Sequence, residues 1–290
     1  MHERHMRRVL ALAERALGEG EPGGRVVERA ARADLHLHSD HSVDSHAPLE
    51  AMCRAAVEKG LETVCFTEHV DLDPRDDGYG YLNWDAYSRA VDAARERFAG
   101  RLTILQGVEI GEPHRYPRDL ERLAALRPDV ILGSVHWLPE GFVGASDVRR
   151  AMGLEGLFAA YYREMLAAVR HGGFDVLAHL DFPKRYHGEA LGLDEVVEAI
   201  LSEAVARGLA IEVNTSPLRK GLEVCAPDLP VLARYRALGG SRVTLGSDAH
   251  APEEVGAGLG RALEIVRRAG VGPVGVFCGR RFVSLEAPVQ

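Results

Sequence analysis

A chain of 290 residues with 46% hydrophobic and 27% charged side chains is globular in make-up and long enough for one large domain. A formal net charge of −8 argues against a nucleic-acid surface, yet permits a small anionic ligand whose charge is met by bound cations. The four scattered cysteines form no CxxC pair, no apolar run nears the roughly 20 residues of a membrane span, and the N-terminus lacks a signal peptide's apolar core, so a soluble cytoplasmic protein is expected.

Residues 3–18 place Val9, Leu10, Leu12, Ala13, Ala16 and Leu17 near a 3.6-residue period, which predicts an amphipathic helix. Gly18, Gly20, Pro22, Gly23 and Gly24 break it. Residues 1–32 are therefore expected to be a helical extension of a main domain spanning 33–290. From Ala33 onward, short apolar runs alternate with longer helical patterns. Strands are predicted over 34–37, 63–66, 102–108, 130–134, 174–178, 209–213 and 242–245, with a further one around 274–283. Helices are predicted over 48–59, 84–98, 154–170, 193–207, 229–238 and 253–268, the first opened by Pro48 and closed by Gly60. Such alternation means parallel βαβ units, in an open sheet or a closed barrel. No GxGxxG follows the first strand, so a dinucleotide fold has no support, and seven units favour a barrel.

The residues that end each predicted strand carry the chemistry. The first strand ends in His36-Leu37-His38, the second in Thr67-Glu68-His69 and the third in Gly107-Val108-Glu109. The fourth ends in Ser134-Val135-His136, the fifth in Ala178-His179-Leu180-Asp181, the sixth in Glu212-Val213-Asn214 and the seventh in Gly246-Ser247-Asp248-Ala249-His250. In a (β/α) barrel all these ends converge on one face. Six of the 13 histidines in the chain arrive there with several carboxylates, a donor set suited to zinc, manganese or iron. Residues two apart in a strand share a face, so His36 and His38 can reach one ion while Leu37 turns to the helices. Glu109 is placed to bridge two cations with its two oxygens.

The segments DLHLHSDHSVDS, FTEHVD, GVEIG, GSVHW, AHLD, EVNTS and GSDAH resemble the polymerase-and-histidinol-phosphatase (PHP) superfamily, and FTEHVD, GVEIG, GSVH and NTSPLRK are most similar to its histidinol-phosphatase branch. The resemblance runs from about Asp34 to the end. It implies a distorted seven-stranded, TIM-like (β/α)7 barrel with three divalent metal ions. His36, His38, Glu109 and Asp248 would hold the first metal. Glu109 would bridge to a second held by His136 and His179, and Asp44, His69 and His250 would hold the third. Many histidinol phosphatases carry His where this chain has Asp44, which alters the third site without removing it. Glu68 and Asp181 are expected to orient imidazoles. His41 and His46 fit no ligand position and are read as solvated or substrate-lining. His114 and His187 are candidates to touch substrate, and His2, His5 and His171 are read as ordinary histidines.

The implied activity is hydrolysis of a small phosphomonoester, with Glu109, Asp248 and His250 at the reacting centre. Two cations about 3.5–4 Å apart lower the pKa of a shared water so that hydroxide attacks phosphorus. A guanidinium suits phosphate because it donates two coplanar hydrogen bonds, which makes Arg185 and Arg219 the candidate substrate contacts. The acidic, aromatic segment 71–84 is a candidate to recognise a cationic amine. L-histidinol phosphate is the leading substrate. Another sugar or nucleotide phosphate, a non-catalytic metal-binding module and a polymerase-associated exonuclease are the rivals. The acidic balance disfavours the exonuclease, and competent residues at all nine ligand positions disfavour the module. Oligomeric state and metal identity have no sequence signature here.

Overall fold

A computed structural model describes residues 30–189 and 193–285. The helix predicted over residues 3–18 lies outside the described residues. In chain order the first elements are β1 (Ala33–Leu37), α1 (Leu49–Glu58), β2 (Thr63–Val70), α2 (Trp84–Arg97), β3 (Thr103–Gly111), α3 (Pro117–Ala125) and β4 (Val130–Ser134). A small hairpin, β5 (Trp137–Leu138) and β6 (Gly141–Phe142), precedes α4 (Ser146–His171) and β7 (Val176–Leu177). Then come α5 (Lys184–His187), α6 (Asp194–Arg207), β8 (Ala210–Asn214), α7 (Ser216–Arg219), α8 (Leu229–Ala237), β9 (Val243–Gly246), α9 (Leu259–Ala269), β10 (Gly275–Cys278) and β11 (Arg281–Ser284).

Seven strands lie side by side in the order β1-β2-β3-β4-β7-β8-β9, every pair parallel, as the alternation predicts. The segment beyond β9 brings the sheet back to β1. Leu37 bridges Ala249 in parallel, His38 N–H donates to Ala249 O at 2.9 Å, and Asp248 N–H donates to His36 O at 2.8 Å. Asp34 clasps the same seam, accepting from the N–H groups of Ser247 and Gly256, each at 2.8 Å. The result is a nearly closed barrel, and near-closure removes the exposed edges that an open sheet would present.

The barrel interior divides into two layers because side chains alternate along a strand. Near the strand starts, Leu35, Cys65, Leu105, Val130 and Val176 form an apolar layer, sealed from below by Phe277 of the β10–β11 hairpin. Two to four residues further on, the same inward positions carry Glu109 on β3 and Glu212 and Asn214 on β8. Strand β1 breaks the alternation. Leu35 belongs to the lower layer, yet His36 and His38 both face the upper one, and the β1–β2 register shifts between Asp34 and Leu37. Such an irregularity re-aims the side chains beyond it. Leu37 duly packs into the outer core under the helices. Gly246 is small by necessity, since a methyl group there would run into Glu212 and His36.

The helices bury one stripe each against this cylinder. On α9 the stripe is Leu259, Ala262, Leu263 and Val266, at helical spacing. On α2, Asn83 caps the start by accepting from Ala86 N–H at 3.0 Å, and the buried Tyr87 hydroxyl reaches Phe66 O on β2 at 2.8 Å. Departures from the predicted elements have local causes. The helix expected over 253–268 begins only at Leu259, because Gly256 and Gly258 turn at positive φ. The strand expected around 274–283 is a hairpin turned at Gly279-Arg280, both at positive φ. The helix α3 and the β5–β6 hairpin were not anticipated. Among the described residues, no helix is long and apolar enough to cross a membrane.

Because Phe277 fills the base of the barrel, Phe277→Ala is expected to cost about 3–5 kcal/mol of stability, the usual range for a buried aromatic. Urea unfolding measures that loss, and metal content after dialysis should stay at the wild-type value because the upper layer is untouched.

Candidate metal centre

Six imidazoles and three carboxylates from the strand ends meet at the top of the barrel. His36 and His38 come from β1 and its exit, His69 from β2 and Glu109 from β3. His136 follows β4, His179 follows β7, Asp248 and His250 follow β9, and Asp44 lies in the loop before α1. The pairing of β2 with β3 sets His69 directly opposite Glu109. Glu109 is almost completely buried. Its Oε1 lies 2.7 Å from His179 Nε2 and 3.5 Å from His136 Nε2, and its Oε2 lies 3.1, 3.3 and 3.6 Å from His36 Nε2, His69 Nδ1 and His38 Nε2.

Hydrogen-bond accounting tests whether these residues suit a cation. His36 Nδ1–H donates to Glu212 Oε1 at 2.6 Å. Ser42 has a single hydroxyl proton, which goes to Glu68 Oε2 at 2.6 Å, so Ser42 Oγ accepts from His38 Nδ1–H at 3.2 Å. With Nδ1–H committed in both rings, neutral His36 and His38 would each turn an Nε2 lone pair to one point, the two nitrogens being only 3.0 Å apart. Without a cation there, burial is outweighed by Glu212, Glu109 and Asp248, which raise His36 well above the usual imidazole value. Asp248 Oδ1 lies 3.8 and 3.6 Å from these two nitrogens. Two lone pairs and two carboxylates aimed at one spot repel one another without a cation and coordinate one readily. His69 Nδ1 and His250 Nε2 are buried without a hydrogen-bond partner, although His250 Nε2 sits 3.0 Å from Asp44 Oδ2. Proximity without hydrogen-bond alignment is what ligands to a common ion display. The donors fit divalent metals.

Among the described residues, four groups of potential ligand atoms converge. Two have the expected members, His36, His38 and Asp248 beside Glu109, and Glu109, His136 and His179. A third joins His69 and His250 with His38 in place of the expected Asp44, whose Oδ2 lies 3.5 Å from His69 Nε2. The fourth, His69, Asp71 and His136, was not anticipated. Asp71 Oδ1 lies 3.5 Å from His136 Nδ1 and its Oδ2 lies 3.8 Å from His69 Nδ1.

Charge complementarity sets the ionisation. Burial alone would raise both carboxyls, but His36 and His179 around Glu109, and Arg185 and His36 around Asp248, hold each well below the usual carboxylate range. Burial and the neighbouring His69 and His250 rings push His38 well below the usual imidazole value. Burial opposes protonation of His69 as well, yet Asp71, Asp44 and Glu109 raise it to about 10. Asp248 itself sits at φ 55°, a strained region for a non-glycine residue although tolerated by Asp.

Other predicted residues are placed as follows. Arg185 lines the pocket above the metal ligands, bonded to Asp248 and Ser216, with its guanidinium 4.7 Å from the Phe182 ring centre. Arg219 is turned away from the pocket. It grips the strained turn from behind, donating to Ser247 O at 2.7 Å and Asp248 O at 2.8 Å. Glu68 orients no imidazole directly; it accepts from Ser39 N–H, Ser39 Oγ and Ser42 Oγ. Asp181 faces Lys184 Nζ at 2.8 Å rather than His179. His41 packs near Tyr87, His46 and His171 are exposed, His114 is bound to Glu164 at 2.8 Å and His187 donates to Val143 O at 2.8 Å. None of these five histidines lines the pocket. Sequence reasoning placed Glu212 and Asn214 at the end of the sixth strand but gave them no role, although their i, i+2 spacing is the same signal that singled out His36 and His38.

A parallel seven-stranded barrel with a cluster of His, Asp and Glu at its C-terminal mouth defines a metal-binding α/β barrel. The chain matches the PHP domain model over residues 34–216 and belongs to that family. It is similar to a probable histidinol-phosphatase of Clostridium acetobutylicum, 31% identical over 249 residues that span 83% of this chain and 95% of that protein. A probable histidinol-phosphatase of Deinococcus radiodurans is 32% identical over 82% of this chain and 93% of its own length. The crystal structure of histidinol phosphate phosphatase from Lactococcus lactis, complexed with zinc, L-histidinol and phosphate, shares the fold. Its TM-score is 0.77 over 86% of this chain and 98% of that one, at 23% identity.

Metal analysis by plasma mass spectrometry separates the groups. Asp44→Ala, at a half-exposed position whose ion-pair partners among the described residues are His69 and His250, should lose one cation per chain. Glu109→Ala should lose at least two, because its oxygens face ligands of every group.

Proposed function

We propose that this chain is a metal-dependent phosphomonoesterase that hydrolyses L-histidinol phosphate to L-histidinol and phosphate, a step of histidine biosynthesis, in the cytoplasm. The observation that carries the reading is the convergence of six imidazoles, Glu109 and Asp248 at one end of the barrel, with Asp44 3.0 Å from His250, where they line or lie beneath one pocket. Relatives named as probable histidinol-phosphatases align over nearly their whole length, which supports the substrate. The four described cysteines are free and buried, in keeping with a reducing compartment.

In this reading three divalent ions, manganese, zinc or iron, are held as the resemblance implies. His36, His38, Glu109 and Asp248 hold the first, Glu109, His136 and His179 the second, and Asp44, His69 and His250 the third. Bound divalent cations supply Lewis acidity, acidifying water and neutralising phosphoryl charge. The protein does the rest. Glu109, Asp248 and His250 fix the geometry of the reacting centre. Arg185, packed against Phe182, offers its guanidinium fork to the phosphate, a bidentate match that a lysine cannot make. Arg219 acts at one remove by holding the turn that carries Asp248.

The far wall of the pocket is aromatic, made by Trp137, Phe142, Phe182 and Tyr186, and its rim is acidic. Of the acidic residues in the 71–84 segment that reach the pocket, Asp76 already accepts from Trp137 Nε1–H at 2.5 Å and Gly78 N–H at 2.7 Å. Asp71 faces the histidines. Asp77 is exposed at the rim with no hydrogen-bond partner among the described residues, so it is the carboxylate left for a substrate ammonium.

Phosphate release from L-histidinol phosphate beside a panel of sugar and nucleotide phosphates tests the reading. A kcat/KM of about 10⁴ M⁻¹s⁻¹ or more, well above the panel and abolished by chelation, is expected. Equal slow rates on every ester would remove the histidine-pathway role. Arg185→Met should lower kcat/KM about 10–100-fold, the value of a charge-assisted hydrogen bond. Asp77→Asn should raise KM for L-histidinol phosphate while leaving p-nitrophenyl phosphate turnover unchanged.

A further inference from the structure

Three supporting groups around the metal ligands share a pattern that the ligand set alone does not require: each touches ligands of two different cations. Glu212 receives His36 Nδ1–H at 2.6 Å on one oxygen and the His179 N–H at 2.8 Å on the other, and so joins the first and second sites. Ser42, held by Glu68, receives His38 Nδ1–H at 3.2 Å and the His69 N–H at 3.0 Å, and so joins the first and third. Asp71 faces His136 Nδ1 at 3.5 Å and His69 Nδ1 at 3.8 Å, and so joins the second and third. Each of the three pairings occurs once, so the supports close a ring around the centre.

We propose that Glu212, Ser42 and Asp71 are positioning residues that couple the three cation sites pairwise, so that metals load cooperatively and the loss of one support weakens two particular sites. The inference rests on the three-cation reading given above. The physical basis is direct. Glu212 and Ser42 each bond two ligands and so fix both in one geometry, while Asp71 bonds His136 Nδ1 and draws His69 by charge alone. A cation that orders one ligand lowers the ordering cost of the other, which is coupling through a shared element. Supports of this kind are typically worth about 10–100-fold in metal affinity. Glu212 and Ser42 also fix the tautomer of their histidines, so their loss frees an imidazole to present the wrong nitrogen. Asp71 makes the longest contacts and should be the weakest of the three.

The test is a manganese titration of Glu212→Gln, Asp71→Asn and Ser42→Ala, with anomalous scattering from crystals at limiting metal giving the occupancy of each site. Glu212→Gln should weaken the first and second sites about 10–100-fold and leave the third. Ser42→Ala should weaken the first and third, and Asp71→Asn the second and third. A cooperative thermal melt controls for folding. Should the buried Glu212→Gln fail to fold, the other two variants decide the matter. A substitution that weakens one site only, or all three equally, overturns the coupling. A wild-type stoichiometry of two would instead remove the third site and the Ser42 and Asp71 arms, leaving Glu212→Gln to decide whether the remaining pair is coupled.

Discussion

Burying the carboxylate of Glu109 inside a barrel imposes the arrangement of everything around it. A carboxylate taken out of water costs several kcal/mol unless opposite charge and hydrogen-bond donors surround it. Glu109 is about 1% exposed, so the compensation has to come from the protein and from what the protein binds. Four other strands therefore send imidazoles to its two oxygens. The register of β2 on β3 brings His69 opposite, the shift in β1 brings both His36 and His38 inward, and His136 and His179 arrive from beyond β4 and β7.

The same constraint explains the two-layer interior. An apolar floor of Leu35, Cys65, Leu105, Val130, Val176 and Phe277 keeps water from reaching the centre from below. The opening above is polar and solvated. Strand alternation makes this cheap to encode, since one strand contributes Leu105 below and Glu109 above from the same face. Stability is then concentrated at the strand starts and chemistry at the strand ends, which lets the strained turn at Asp248 persist. Arg219 and the clasp from Asp34 over-determine that turn from outside the pocket.

Eight of the nine proposed ligands were legible in the sequence because each sits on or just beyond a β-strand, where period-2 spacing and parallel topology predict convergence without coordinates, whereas Asp44, in the loop before α1, came from the family resemblance alone. The seven-unit alternation was legible for the same reason. What escaped depended on partners far apart in the chain. Glu212 matters because it reaches His36, 176 residues away, and no local pattern encodes that. Glu68 was expected to meet an imidazole directly, but serines from the β1–α1 loop intervene and pass its effect to His38 through Ser42. Arg219 carried the right residue type for phosphate, yet the short helix α7 turns it onto backbone carbonyls. Element boundaries failed at Gly256 and Gly258 before a helix and at Gly279 within a predicted strand, where positive φ interrupts what hydrophobic periodicity alone would continue.

The charge at Asp44 has a consequence for substrate binding. In the proposed ligand set three carboxylates face three divalent cations, leaving a net positive pocket floor within a chain of net charge −8. A histidine in place of Asp44 would leave that floor more positive by one charge, drawing a phosphate dianion more strongly but holding the third cation less tightly. Asp44 is half exposed, so the gain in ion attraction is screened by water and its effect on the phosphate is weaker than that of the buried Glu109 or Asp248. In the proposed reading anion binding then depends more on Arg185, which lines the same pocket and is bonded to Asp248. On that reading an aspartate at position 44 shifts the attraction of the phosphate onto the guanidinium while it strengthens the hold on the metal.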